Sequence, residues 1–281
     1  NQRRDMTKNQ GTQFNLKYTG RYDWGTLEAQ AYNQMVNHQM DDNTGARTSP
    51  SMPMLATSST NGAIVKGTLP LSETQLARMG AEWQGYLLND WWPPSYTPSK
   101  MMWPNTFQNI TNGTRDRLGV FGELEQQWTK EWMGMAGVRV EQVGANAGNV
   151  QGYNNMPAYA LNANAFNAQK HGQTDYNWDL TALTRYKTDL TQNYEAGYSR
   201  KTRSPNLYER YSWAPEVANT FSLATDWHDA NQEIWSFKTN PYYTYVSNYI
   251  DAVCGPGVPC KAKQFNVLQY ANQNAQLFGI D

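Results

Sequence analysis

No stretch of about 18 consecutive apolar residues occurs in the 281-residue chain, so no transmembrane helix is expected. Valine, isoleucine and leucine are too sparse to fill the dry interior of a water-soluble β-protein. Net charge is −1, so no global field draws the chain to nucleic acid or to anionic lipid. Only two cysteines are present, both in Cys254-Gly-Pro-Gly-Val-Pro-Cys260. Two thiols make a poor zinc site, whereas this spacing suits a small disulfide-closed loop in an oxidising compartment. G-x-S-x-G, H-E-x-x-H and phosphate-loop motifs are all missing, and no nucleophile–base set stands out, so no enzyme is expected. No repeat of fixed solenoid period appears. The polar start Asn1-Gln2-Arg3-Arg4-Asp5 has no initiator methionine and no signal-peptide pattern, which reads as an internal piece of a longer protein.

What is plentiful is aromatic and polar. There are 11 Trp and 18 Tyr, yet mean hydropathy is −0.78. Disordered chains have few aromatics, so disorder is excluded. The pairing of many aromatics with low hydropathy suits a wide β-barrel with a polar lumen and aromatic girdles. Alternation supports this. Phe14, Leu16 and Tyr18 alternate with Gln13, Asn15 and Lys17. Leu118, Val120, Leu124 and Trp128 share one face; Arg117, Glu123, Glu125 and Gln127 share the other. Tyr176, Trp178, Leu180 and Ala182 oppose Asp175, Asn177 and Asp179, and Tyr194, Ala196 and Tyr198 oppose Asn193, Glu195 and Ser199. Glu123, Glu125, Arg139, Glu141, Asp179 and Arg185 would be costly against a dry core but not against a water-filled lumen.

Short turns at Gly20–Gly25, Thr129–Glu131, Thr188–Leu190 and Asp229–Asn231 alternate with long polar stretches at Asp41–Ile64, Asn89–Asn112 and Gly144–Thr174. Outer-membrane barrels place short turns on the periplasmic side and long loops outside. The expectation is an all-β chain, part of a large antiparallel transmembrane barrel, with roughly ten to twelve strands of about 10 residues each.

Several segments carry a family resemblance. Arg203-Ser204-Pro205-Asn206-Leu207-Tyr208-Glu209 is similar to an R-x-P-x-x-x-E segment that follows a barrel strand. Pro215-Glu216-Val217-Ala218-Asn219-Thr220 is similar to a P-E-x-x-x-T strand entry. Val246-Ser247-Asn248-Tyr249-Ile250-Asp251 and Tyr270 to Gly279 match two further strand patterns. In this order they resemble the barrel of a TonB-dependent outer-membrane receptor, and weaker similarity extends over residues 1–281. Val36-Asn37-His38-Gln39-Met40-Asp41-Asp42, Asp90-Trp91-Trp92-Pro93-Pro94, Arg115-Asp116-Arg117-Leu118-Gly119 and Ser204 to Tyr211 resemble its copper-receptor branch. Here Trp213-Ala214-Pro215 joins two segments that the family usually separates by a longer loop.

The resemblance implies a 22-stranded barrel whose plug, TonB box, first strands and closing strand lie outside this chain. It implies an outer-membrane location, energised uptake of a scarce metal ligand, and a TonB energy-transducing complex acting through the plug. Copper is the first cargo and no covalent cofactor is implied. A ferric-siderophore receptor of the same family is the alternative, and a passive porin or adhesin is the alternative of another class.

The residues supply a ligand expectation of their own. His38 has the parity of Glu28, Gln30 and Gln34, so it points into the lumen about a full span above the short turn, with Met40 two residues on. An imidazole beside a thioether suits copper, especially Cu(I). Met52 and Met54, in the adjoining loop, are weaker candidates. His171 is expected to be solvated, His228 to make a hydrogen bond, and Arg203 to pair with Glu209 and order its loop.

Overall fold

A computed structural model describes residues 5–42, 51–95, 103–152, 157–189, 191–209, 215–231, 233–254 and 268–280. The strands are β1 (Asp5–Tyr22), β2 (Gly25–Asp41), β3 (Met54–Pro70), β4 (Gln75–Trp92), β5 (Phe107–Gln127) and β6 (Trp132–Asn146). A helix, α1 (Pro157–Asn167), precedes β7 (Gln173–Lys187), β8 (Gln192–Arg203), β9 (Glu216–His228), β10 (Ser236–Thr239), β11 (Pro241–Cys254) and β12 (Leu268–Ile280). One antiparallel sheet holds all twelve strands in chain order, β10 lying off the path as a partner of β9. β10 and β11 meet β9 in one continuous register, Thr239 opposite Thr225 and Tyr242 opposite Ser222. Pro241 has no N–H to donate, so the two are one ladder position broken where a proline enters.

The strand ends that flank 23–24, 71–74, 128–131, 188–191 and 229–235 lie at one end of the sheet; those that flank 42–53, 93–106, 147–172, 204–215 and 255–267 lie at the other. The short turns are tightly made. Gly25 has φ 141°, and a Cβ there would sit 2.1 Å from the Thr68 carbonyl oxygen, so only glycine fits. Asp229 caps 229–235 by accepting N–H donors from Asn231, Glu233, Ile234 and Trp235. These bonds, that from Trp235 foremost, hold its carboxyl down to about 2. Because its folded value is depressed, its stabilisation is complete above the ordinary carboxylate range and disappears as pH falls through about 2. Asp229→Ala should therefore speed amide exchange at Ile234 and Trp235 at neutral pH; unchanged protection would show that the cap is idle.

One face of the sheet is apolar and exposed. Leu118 (57%), Val120, Val138, Leu223 and Phe221 stand out from it. Aromatic rings crowd its short-turn end. Tyr22 stacks on Trp24 at 5.3 Å, Trp132 lies 6.4 Å from Trp128 and 5.2 Å from Tyr186, and Trp227 lies 5.8 Å from Phe237. Tyr176, with Trp178 below it, marks the upper limit on β7. From Tyr186 to Tyr176 the strand rises ten residues, which at ~3.4 Å each and a tilt of ~45° is roughly 24 Å, the height of an outer-membrane apolar band.

The opposite face carries ion pairs. Glu28 meets Lys66 at 2.5 Å and Lys17 at 3.5 Å. Arg78 bridges Glu123 (2.5 Å) and Glu125 (3.0 Å). Arg139 bridges Glu82 (2.5 Å) and Glu141 (2.6 Å), and Arg117 reaches Glu82 at 2.8 Å. Most partners lie on an adjacent strand or two along the same strand; Arg139 reaches Glu82 across β5, over Gly119, where a Cβ would sit 2.7 Å from the guanidinium, and the period-2 alternation places the whole network on one wall.

Two expectations about extent are corrected. The stretch Asp41–Ile64 is not all loop, since β3 begins at Met54, and β4 and β5 shorten the 89–112 stretch to 93–106. Strands run to 21 residues in β5, not about 10. Above the apolar band both faces of a strand meet water, so alternation vanishes and Asn, Ser, Thr and Gly read as loop. His171 is not free in solvent: its ring stacks on Phe166 at 4.3 Å and its nitrogens face the carbonyls of Ala147 and Phe166 at 2.9 Å, tying α1 to the end of β6. His228 is buried, with Nδ1 2.8 Å from the Asp229 carbonyl. Cys254 ends β11; Cys260 lies outside the described residues, as do Met101, Met102 and the Trp213-Ala214 junction.

Candidate functional site at the loop-side rim

The ladder register brings the candidate ligands together. Met40 on β2 lies directly opposite Met54, the first residue of β3, and opposite Met6 of β1. Direct cross-strand partners have Cβ atoms roughly 5 Å apart, so Met6, Met40 and Met54 form one row of thioethers. His38 is two residues below Met40 on the same face and faces Ala56. From Gly25 to His38 is thirteen residues, or roughly 31 Å of height at the same tilt, which puts the row above the apolar band. Met54 is thus a strand residue beside Met40 rather than a residue of the adjoining loop. Met52 is set apart: its backbone N–H donates to Asp41 Oδ1 at 3.0 Å, and Ser51 Oγ donates to Asp41 Oδ2 at 2.7 Å. That anchorage starts β3 beside the end of β2 and so fixes the Met40–Met54 pairing.

Among the described residues no group of three or more His, Cys, Asp or Glu side chains stands together as a metal site. The row is chemically soft, with thioether sulfurs and one imidazole close by. Such a set suits Cu(I) and not a hard cation.

Beside this row lies a feature that sequence reasoning missed. Along the ladder His38 is followed by Ala56 and then Asp90, so Asp90 stands two strands, roughly 10 Å, from His38. Asp90 is buried; it accepts from Asn109 Nδ2 at 2.7 Å and from the Tyr208 hydroxyl at 3.1 Å. Tyr208 comes from the β8–β9 connection. To reach β4 that segment crosses the inner face past β7, β6 and β5.

Three contacts hold it down. Leu207, 3% exposed, packs with Leu88, Ile110 and Ala145. The Asn177 amide donates to Ser204 Oγ at 2.8 Å. Arg203 reaches both Glu216 (2.6 Å) and Glu209 (2.8 Å), so the expected Arg203–Glu209 pair is present with a second carboxylate added. Burial, and next the Asp90 carboxylate, push the Tyr208 hydroxyl well above the usual phenol range, so it stays a hydrogen-bond donor. The R-x-P-x-x-x-E spacing signalled an ordered segment, but nothing local signalled a landing place 118 residues away.

An open antiparallel wall with a lipid-height apolar band, an ionic inner face, short turns at one end and long connections at the other defines a section of a large transmembrane β-barrel. The sequence model described as "TonB dependent receptor-like, beta-barrel" matches residues 1–281, and the chain belongs to that family of outer-membrane transport receptors. No curated protein matches the chain in sequence. Among solved structures it resembles the copper transporter OprC, with TM-score 0.77 at 14% identity over 99% of this chain and 42% of that one. It also resembles a double mutant of the Serratia marcescens hemophore receptor HasR bound to HasA and heme, with TM-score 0.69 at 12% identity over 97% and 45%. A third is the FrpB iron transporter of Neisseria meningitidis, with TM-score 0.64 at 14% identity over 96% and 40%. At such identities the likeness is one of fold. The chain spans less than half the length of these structures.

Proposed function

We propose that this chain is part of the wall of a receptor that takes up copper, with His38, Met40 and Met54 as its contribution to a soft metal site at the loop-side rim. Met6, opposite Met40 on its other side, continues the row, and Met52, two residues before Met54, is a weaker candidate. The observation that carries this reading is the direct opposition of Met40 and Met54 with His38 on the same face. Thioether and imidazole prefer Cu(I) to the harder cations. The fold shared with a copper transporter supports it. Further ligands would come from a plug, on which the TonB energy-transducing complex would pull to admit the ion. The loops would face outside and the short turns the periplasm.

Titration of Cu(I) into the full-length receptor should show one ion bound with His38, Met40 and Met54 engaged. The variant combining His38→Ala, Met40→Ala and Met54→Ala should weaken that binding at least ~100-fold, about 2.7 kcal/mol. Equal affinity and stoichiometry in the variant would remove the site. A second reading is uptake of an iron chelate, favoured by the fold shared with an iron transporter and with a ferric enterobactin receptor, at TM-scores of 0.64 and 0.62. Growth rescue by a ferric siderophore that survives the triple substitution would favour it.

A further inference from the structure

Arg200 breaks the rule that governs the rest of the apolar face. It lies on β8 with the parity of Tyr194, Ala196 and Tyr198, opposite Leu180 of β7 and Asn219 of β9. Its side chain therefore leaves the sheet on the lipid side. A guanidinium there is expensive, so it must climb to the interface and find partners. It does both. Its carbon sits 3.7 Å from the centroid of the Trp178 ring, one rung nearer the loops. It donates to the Trp178 carbonyl and, at 3.0 Å, to Thr202 Oγ1. None of these partners is charged, and among the described residues no carboxylate forms an ion pair with it. Asp179, its near neighbour in sequence register, points to the inner face and accepts from the Thr202 backbone N–H instead. A cation remains on the lipid-facing wall, stacked and oriented but without neutralisation.

Just below it the wall is hollowed. The rung beneath Leu180 and Arg200 runs Leu124, Ala136, Ala182, Tyr198 and Phe221. Two alanines side by side between larger side chains leave a groove of about 760 Å³. Trp128 closes its lower end, and Tyr198 stands against Phe221 at 4.9 Å along one flank. The Tyr198 hydroxyl is turned up to Asn219 at 2.9 Å, towards Arg200. From the Trp178 rung to the Ala182 rung is four residues, roughly 10 Å of height at a tilt of ~45°. The feature thus has a polar head at the loop-side interface and an apolar channel running down from it.

We propose that this is a specific site for an anionic membrane lipid of the loop-side leaflet, its phosphate on Arg200 and one acyl chain in the groove beneath. The charge decides the class: an unneutralised guanidinium selects a phosphate-bearing headgroup over a net-neutral one, and its planar donors match phosphate oxygens. The groove decides the source, since a soluble anion has nothing to place in it. This goes beyond the copper reading and does not depend on it.

Native mass spectrometry of the full-length receptor, released from vesicles of phosphatidylglycerol or phosphatidylcholine, tests the site. The wild type should retain one phosphatidylglycerol in preference to phosphatidylcholine. Arg200→Gln should weaken phosphatidylglycerol retention about tenfold and leave phosphatidylcholine unchanged, while Arg200→Lys should keep part of the preference. Ala182→Phe, which fills the groove, should weaken retention of the lipid without removing the charge. Unaltered selectivity in Arg200→Gln, or unaltered retention in Ala182→Phe, would overturn the proposal. Displacement of the lipid by millimolar inorganic phosphate would reduce the site to an anion contact and overturn it too.

Discussion

Leu207→Asp should release residues 204–209 from the inner wall while the barrel stays folded. Leu207 is 3% exposed, among Leu88, Ile110 and Ala145 with Tyr86 against them. Truncating such a leucine costs about 2–5 kcal/mol, and a carboxylate in its place adds the penalty of an unpaired buried charge. The segment is short and its other holds are few: the Ser204–Asn177 bond, the Arg203 pairs and the Tyr208–Asp90 bond. The local contacts cannot offset that sum, so detachment is cheaper than burying the charge. Amide exchange across 204–209 should rise to the rate of an open loop, and Asp90 should lose the Tyr208 hydroxyl. Leu207→Ala should give a partial effect in the same direction. Retained protection across 204–209 in Leu207→Asp would mean that the apolar cluster does not hold the segment. Since Asp90 lies two strands from His38, copper binding kinetics in this variant would also report whether the crossing segment shields the rim.

Arg139→Met should destabilise the wall at mid-height. Arg139 lies between Glu82 and Glu141 at 2.5 and 2.6 Å, and the three side chains are 22%, 17% and 11% exposed. Removing it leaves two carboxylates facing one another with Arg117 alone to serve both. Breaking a buried pair from one side costs about 3–5 kcal/mol, and the remaining guanidinium together with lumen water brings the expected loss to about 2–3 kcal/mol. The unfolding temperature of the receptor in detergent should fall accordingly. Adding Glu82→Gln to Arg139→Met removes the excess negative charge and should recover about half of the loss. A single variant as stable as the wild type, or a double variant no better than the single, would show that the network contributes little.

Within the apolar band the sequence was readable because each strand has one face in lipid and one in water. Trp128 closes one alternating run and Tyr176 opens another, so their parity marked the apolar face before any pairing was known. The same parity placed Glu123, Glu125, Glu141 and Arg139 on the wet face, and His38 with them. Reading failed above the band, at Met54 to Ser58 and at Phe107 to Asn112, where both faces of the strand are wet and the alternation is lost; it failed within the band at Ser59 to Ile64, opposite Met35 to Gln30, because Ser59, Asn61, Gly62 and Ala63 are small or polar on both faces. The parity of Arg200 becomes meaningful only once the outer wall is identified.

By itself the sequence determined the fold class, the alternation of short turns with long connections, the faces of the strands and the family. Those follow from local periodicity and from segment patterns, which need no knowledge of neighbours. Tertiary structure decided which residues share a rung. The register of β2 against β3 sets Met40 opposite Met54, and the folding of residues 204–209 across the wall brings Tyr208 to Asp90. Register shifts of one residue leave composition and periodicity unchanged while exchanging every cross-strand partner, so no pattern along the chain could have specified these meetings.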